Sequence, residues 1–227
     1  MKVLLSWSSG KDSAWALHVL RSDPHIHVAA LLTTFNDAVD RVAMHAVRRQ
    51  LVEAQAEAAG LPLVRVAIPS PCPNEIYEDR MREAVARAGA GGFTHVAFGD
   101  LFLEDVRRYR EERLAGTGLQ PIFPLWGRPT PALAREMIAG GLEAILTCVD
   151  PRVLDRAFAG RRYDAALLED LPSTIDPCGE RGEFHSFCCG GPMFSRPIPV
   201  ETGVVVERDG FVFADVDKLH HSDKASP

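Results

Sequence analysis

Apolar and polar positions alternate along the first half of the chain in two kinds of block. Lys2 to Trp7 (KVLLSW) is a short apolar run that stops at a Ser/Gly turn, and it reads as a buried strand. From Ser13, the residues Trp15, Leu17, His18, Val19 and Leu20 recur at helical spacing until Asp23-Pro24 stops them. His27 to Phe35 (HVAALLTTF) predicts a second strand. Residues 41–59 predict an Ala- and Arg-rich amphipathic helix, ended by Gly60 with Pro62 beyond. Leu63 to Ile68 predicts a third strand, and Asn74 to Ala88 a charged helix with Asn74 as its N-cap. Thr94 to Phe98 predicts a fourth strand, running into Gly99-Asp100. Such turn-taking is the pattern of an open parallel α/β sheet with helices on both faces. Ligands on these sheets bind beyond the carboxyl ends of the strands. Ser8 to Ser13, the Thr33–Asp37 turn, the Ser70 region and Gly99-Asp100 are therefore expected on one rim.

The second half reads differently. Leu103 to Leu114 predicts a charged helix with Glu104/Arg108 and Arg108/Glu112 at i,i+4. Pro121 to Trp126 is apolar but broken by Pro. Thr130 is expected to cap a helix through Ile138, ended by Gly140-Gly141, before a strand over Glu143–Val149. A Gly-, Cys- and Pro-rich segment spans 176–199, and Val204–Arg208 and Phe211–Val216 flank Asp209-Gly210 as a hairpin. The organisation expected is a nucleotide-binding domain over 1–125, a smaller α+β substrate or acceptor region over 126–217, and a frayed tail over 218–227.

Composition narrows the class. The 227 residues are 46% hydrophobic and 25% charged, which suits a folded domain with its own core rather than a disordered or fibrous chain. A net charge of −6 disfavours non-specific nucleic-acid binding. No apolar run reaches the roughly 18 residues of a membrane span, and the N-terminal apolar stretch is too short for a signal-peptide core. A cytoplasmic protein is expected, with no membrane partner. Cys72, Cys148, Cys178, Cys188 and Cys189 lack CxxC spacing and read as free thiols. A zinc reading of Cys178, His185, Cys188 and Cys189 suffers from the same spacing. His18, His25, His27 and His45 stand singly and read as structural, with His45 close to the rim; Trp7 and Trp126 read as packing aromatics.

The sharpest local feature is Ser8-Ser9-Gly10-Lys11-Asp12-Ser13, between a strand and a helix. Small residues admit a close ligand, and the helix start presents amide donors and a positive dipole end to an anion. Lys11 adds a mobile charge. Asp12 would repel a bare phosphate, so it implies a bridging cation, most simply Mg²⁺. The segment is not a Walker A loop, because Leu5 and Asp12 stand where that pattern needs Gly and Ser/Thr.

Asp100, at a strand tip, is a site candidate, and Glu104, Arg107 and Arg108 follow on a helix, where the arginines suit a carboxylate or phosphate. Arg110 to Arg113 read as a solvated face. Asp176 to His185 packs four acid or imidazole groups and two Gly into ten residues, so that Glu180, Glu183 and His185 are expected to converge.

SSGKDS resembles the SGGKDS loop of the PP-loop ATP pyrophosphatases, within the adenine nucleotide alpha-hydrolase superfamily. Ser9 stands where that pattern has Gly; if the position needs positive φ, Ser costs about 1 kcal/mol. GDLFLEDVRRYREE (99–112), DPCGERGEFHSF (176–187) and the 44–68 stretch resemble the diphthine–ammonia ligase family. The likeness runs in order over about residues 1–216. It implies an adenine nucleotide alpha-hydrolase-like fold and an ATP-dependent amidation: ATP is cleaved to AMP and pyrophosphate, a carboxylate is adenylated, and ammonia forms the amide. Ser8, Ser9, Gly10, Lys11, Asp12, Ser13, Thr33 and Gly99 are then expected at the nucleotide, with Asp12 at Mg²⁺. Lys11, Asp12, Asp100, Glu180, Glu183 and His185 are expected in catalysis, and Glu104, Arg107 and Arg108 at the acceptor. The eukaryotic members carry a Glu-Gly-Gly-Glu core in this segment with no His, where this chain has Gly179-Glu180-Arg181-Gly182-Glu183-Phe184-His185, which resembles a prokaryotic subgroup. The acceptor is thus open between protein-borne diphthine and a small metabolite, and the oligomeric state is open too, a homodimer included. Two other readings remain at this stage: a PP-loop tRNA-modifying enzyme, and a nucleotide-binding sensor without turnover.

Overall fold

The structure is a computed structural model, and it describes residues 1–36, 41–42, 47–69 and 71–219. Five strands run parallel: β1 (Lys2–Ser6), β2 (His27–Asn36), β4 (Leu63–Ile68), β5 (His95–Ala97) and β6 (Gln120–Ile122), in the order β4-β2-β1-β5-β6. A two-residue strand, β3 (Arg41–Val42), turns back antiparallel on the end of β2. Strand order reverses beside β1, between β1 and β5. A crevice opens above the strand ends at such a reversal, and ligands bind there.

Alternation along β1 divides the core. Val3 and Leu5 point into one cluster with α1 (Lys11–Arg21), α2 (Arg49–Ala59) and α5 (Thr130–Ala139). Leu4 points into the other, with α3 (Asn74–Ala90) and α4 (Glu104–Leu114). Both faces of the central strand are covered, so its sequence is apolar without a break.

The remaining strands, β7 (Glu143–Val149), β8 (Phe184–Gly190), β9 (Val200–Arg208) and β10 (Phe211–Lys218), form an antiparallel sheet in the order β8-β7-β10-β9. Between β7 and β8 lie a 3₁₀ turn at Arg156–Phe158 and the short helix α6 (Ala165–Asp170). Leu146, Val149, Phe187, Cys188 and Val216 join the cluster of α1, so the second sheet packs on the first unit's core and brings β8 beside α1. Asp209 (φ 53°) and Gly210 (φ 79°) close the β9–β10 hairpin in the doubly left-handed turn that an Asp-Gly pair favours. No helix among the described residues is long and apolar enough to cross a membrane.

The expected alternation holds, with local corrections. The first helix begins at Lys11, inside the SSGKDS segment, rather than at Ser13. The helix expected over 41–59 begins at Arg49, because Arg41–Val42 pair with Phe35–Asn36 instead. Asn74 and Thr130 are first helical residues; Pro73 and Pro129 take the N-cap positions, without a side-chain cap. On α4, the i,i+4 pair that forms is Arg107–Glu111, at 2.8 Å. The Pro-broken stretch near 121 contains a strand, β6, which tolerates Pro121 because it lies at the sheet edge. The Gly-, Cys- and Pro-rich segment over 176–199, for which the pattern predicts no element, contains β8. His45, Ser70, Asp37 and the tail beyond 219 lie outside the described residues.

Candidate active site

Above β1 and β5 lies a polar cleft of about 230 Å³. Its floor is the turn after β1. Trp7 continues the strand by donating its N–H to the Leu32 carbonyl, and its indole donates to Gln55 Oε1 at 2.8 Å. Ser9 then takes φ 70°, the left-handed conformation that the family pattern meets with Gly, and its hydroxyl is buried without a hydrogen-bond partner. The Ser9 carbonyl accepts from the Cys188 N–H (2.9 Å) and from Gln55 Nε2 (3.0 Å). Gln55 Nε2 also donates to the Cys188 carbonyl, so one buried amide ties α2, the turn and β8 together. Removing the strained, unsatisfied Ser9 side chain should help folding. Ser9→Gly is expected to raise unfolding free energy by about 1 kcal/mol in denaturant titration.

The turn opens into α1 at Gly10, with no side-chain cap on the helix. Ser13 Oγ donates to the Gly10 carbonyl at 3.0 Å, Ser8 Oγ lies 3.2 Å from Ser13 Oγ, and Lys11 N–H donates to Ser186 Oγ at 3.2 Å. Lys11 is 2% exposed. Its ammonium bonds both oxygens of Asp12, at 3.0 and 2.8 Å, and the Cys178 carbonyl, between the rings of Tyr163 and Phe184. Burial is the strongest influence and works against the ammonium, but the charge and hydrogen bonds of Asp12, joined by Cys178 and Glu180, together outweigh it and hold the Lys11 pKa above its ordinary value.

The wall opposite is the end of β5. A Cβ on Gly99 would lie 3.0 Å from Asp12 C and Ser13 N, both backbone atoms that cannot swing aside. Glycine here lets the strand end meet the start of the helix. Gly99→Ala is expected to push α1 off the cleft and cut turnover at least ten-fold, with a stability loss of about 1–2 kcal/mol, measured by steady-state kinetics beside thermal unfolding.

Next to Gly99, Asp100 faces Arg110 Nε at 3.5 Å across one turn of α4. Burial raises the Asp100 pKa and Arg110 opposes the shift. Asp100 Oδ2 and Arg110 Nε are both buried and lack hydrogen-bond partners. The third wall comes from the segment before β8. Glu180 Oε1 accepts from the Leu101 N–H at 2.7 Å. Burial pushes Glu180 up to about 7 against the Leu101 bond, with Asp12 and Asp100 adding to the rise. Burial, with help from Lys11, pushes His185 down to about 4, so its ring is neutral at pH 7. Gly179 (φ 69°) makes the bend possible, since a Cβ there would meet the Phe184 carbonyl at 2.8 Å.

The structure thus brings Ser8, Gly10, Lys11, Asp12, Ser13, Gly99, Asp100, Glu180 and His185 to one cleft. Ser9 shapes the turn from behind. Other expected residues stand elsewhere. Thr33 is buried and donates to the Trp7 carbonyl at 2.7 Å. Glu183 does not converge with Glu180 and His185: its carboxylate accepts from the Asp176 and Arg181 N–H groups and braces the loop. Asp176 accepts in turn from the Cys178 and Glu180 N–H groups. Glu104 and Arg108 are exposed, and Arg107 packs over Phe123 and Trp126. The arginine that α4 aims at the cleft is Arg110, expected on a solvated face. It shares the stripe of Val106 and Leu114, four residues to either side, and that helical spacing is the signal that would have marked it. Ser186 and the Cys178 carbonyl are further contributors that the sequence reading did not single out.

An uncapped helix start beside a buried lysine, at the switch point of a doubly wound sheet, is an arrangement that α/β proteins use for phosphate-bearing ligands. Residues 1–121 match the diphthamide synthase N-terminal domain, and residues 130–219 the diphthamide synthase C-terminal domain. The chain belongs to the diphthamide synthase family, which places it among ATP-dependent ligases. It is similar to the diphthine–ammonia ligase of Danio rerio, 30% identical over 250 residues that cover 99% of this chain and 98% of that protein. The diphthine–ammonia ligase of Mus musculus is 28% identical over 256 residues, covering 100% and 94%. That of Schizosaccharomyces pombe is 29% identical over 227 residues, covering 91% of this chain and 37% of its own length.

Proposed function

We propose that this chain cleaves ATP to AMP and pyrophosphate, adenylates a carboxylate and amidates it with ammonia, the acceptor being protein-borne diphthine or a small metabolite. One observation supports this most: Lys11, the uncapped first turn of α1, and Glu180 with His185 from the segment leading into β8 line a single cleft. The first group suits a polyphosphate. The second suits proton handling beside it.

The chemistry follows from charge. As the carboxylate oxygen attacks the α-phosphorus, charge grows on the departing pyrophosphate. The α1 amides and Lys11, swung from Asp12 and Cys178 toward the phosphates, oppose that charge. When ammonia then attacks the acyl carbon, AMP leaves and the nitrogen sheds a proton. Glu180 stands ready as the base, because a carboxyl near pH 7 is ionised often enough to accept and still binds the proton firmly. His185, neutral, offers a hydrogen bond without adding charge.

The residues also fit Mg²⁺. Asp100 Oδ2 is a buried oxygen lacking a hydrogen-bond partner, and Asp12 stands across from it at the same cleft. Among the described residues no group of three or more His, Cys, Asp or Glu is placed to hold a metal by protein alone. An ion held by one or two carboxylates plus phosphate oxygens is the usual Mg²⁺ arrangement at nucleotides. When bound, it would neutralise phosphate charge.

The test is stoichiometry. Incubation with ATP, Mg²⁺, ammonium and a diphthine-bearing protein or small carboxylate should give amide, AMP and pyrophosphate one to one. Amide formed together with ADP, or AMP formed only in the presence of tRNA, would contradict the reading.

A further inference from the structure

Beside the nucleotide cleft lies a second, largely apolar cavity of about 300 Å³, between α3, α4 and the sheet. Tyr77, Met81 and Val85 of α3 face Tyr109 of α4 across it, and Phe98 and Arg110 line both cavities. The two spaces therefore meet at one guanidinium. Arg110 stacks over Phe98, 4.9 Å from the ring centroid, and its Nε is buried with no hydrogen-bond partner. Its ion-pair partner there is Asp100, whose Oδ2 lies 3.5 Å away and likewise makes no hydrogen bond. At that separation the two groups attract as charges without a hydrogen bond, so the Arg110 guanidinium keeps donors to offer an anion arriving at the junction.

We propose that this second cavity is the acceptor subsite, and that the acceptor is a small carboxylic acid with an apolar chain or ring. The inference rests on the amidation reading above. The apolar body fills the space between Val85, Met81 and the two tyrosines, while the carboxylate meets Arg110 at the junction, facing the phosphates. The size matches small-molecule pockets, and the lining joins an apolar group of side chains to the charged Glu78, Arg82, Glu112 and Arg113 as well as Arg110. Guanidinium is the group suited to hold a carboxylate in one plane. From there the carboxylate oxygen bonds to the α-phosphorus as the bond to pyrophosphate breaks and pyrophosphate leaves with the electron pair. A nitrogen nucleophile then bonds to the acyl carbon, the carbon–oxygen bond to AMP breaks, and the nitrogen's proton passes to Glu180.

Hydroxylamine in place of ammonia makes this measurable, since the product is a coloured hydroxamate. The full chain with ATP and Mg²⁺ is given acetate, butyrate, hexanoate or phenylacetate in turn. Hexanoate is expected to exceed acetate by about 100-fold in kcat/KM, as four further buried methylenes imply. Val85→Phe, which shortens the cavity, should lower the hexanoate-to-acetate ratio at least ten-fold, and Met81→Trp gives the same readout should the first variant not fold. Arg110→Gln should raise the KM for hexanoate at least ten-fold, more than that for ATP, with partial rescue by Arg110→Lys. Equal use of acetate and hexanoate would overturn the inference. So would a ratio that neither cavity-filling variant moves, or cavity-filling variants that weaken adenosine binding while the ratio stays put. Hydroxamate from a diphthine-bearing protein alone would overturn it too and leave the amidation reading standing. ATP left uncleaved under every condition would take both down.

Discussion

Lys11→Ala and Asp12→Ala are each expected to reduce AMP formation by at least 100-fold while the protein stays folded. Among the described residues Lys11 is the only ammonium lining the cleft, and it begins the helix whose amides face the phosphates. Removing one preorganised donor from a developing oxyanion typically costs 10²–10³ in rate. Its removal also leaves Asp12 without its ion-pair partner, but Asp12 is 27% exposed at its side chain and can take up water. For Lys11→Ala unfolding should therefore shift by only about 1–2 kcal/mol, whereas Asp12→Ala leaves the 2%-exposed Lys11 ammonium without its carboxylate and should cost about 3–5 kcal/mol, so Asp12→Asn is assayed beside it. Steady-state AMP production measured beside a denaturant melt separates the two effects. Near wild-type turnover in either variant would remove that residue from the machinery.

Glu180→Gln is the second large effect. Its carboxyl is pushed up to about 7, so the base form gains population as pH rises through that value. The contribution of Glu180 to wild-type amide formation should climb with unit slope below about pH 7 and level off above it. Ammonia's own loss of a proton adds a further rise, but equally in both proteins, so the ratio of wild type to variant isolates Glu180. That ratio should grow with pH and reach about 10²–10³ on the plateau. Stability should move in the opposite sense. The folded pKa lies above the ordinary carboxyl value, so ionisation is penalised in the folded state and stability falls as pH rises from about 4.5 to 7. Glu180→Gln should therefore melt higher than wild type at pH 8 and alike at pH 4. A variant with lost activity but an unchanged pH ratio would make Glu180 a brace for Leu101 instead of a base.

How much of this was readable in the chain depended on range. SSGKDS could be read because strand end, turn and helix start are contiguous, and because Lys-Asp beside a buried strand has no packing use. The parallel sheet could be read because strands buried on both faces are unbroken apolar runs. β8 was hidden because Gly179 and Gly182 before it, and Gly190 and Gly191 at its end, crowd a short strand and mask its apolar pattern. What makes it a strand is its pairing with β7, more than thirty residues away in sequence, and the Ser9 carbonyl that receives its Cys188 N–H. Glu183 illustrates the opposite error. Nearness in sequence to Glu180 and His185 suggested convergence, yet two backbone amides claim its carboxylate first. Arg110 was obscured by the charges around it on α4, because composition does not reveal which face of a charged helix turns inward.

Which anhydride of ATP breaks decides what this cleft does. Phosphorus NMR of the products, with the wild-type chain, Mg²⁺ and ATP in the presence of ammonium and an acceptor acid, reads this directly. Matched AMP and pyrophosphate resonances, absent for Lys11→Ala, are the expected result. ADP with orthophosphate would mean that the cleft cuts the outer anhydride, and the proposed chemistry would be wrong.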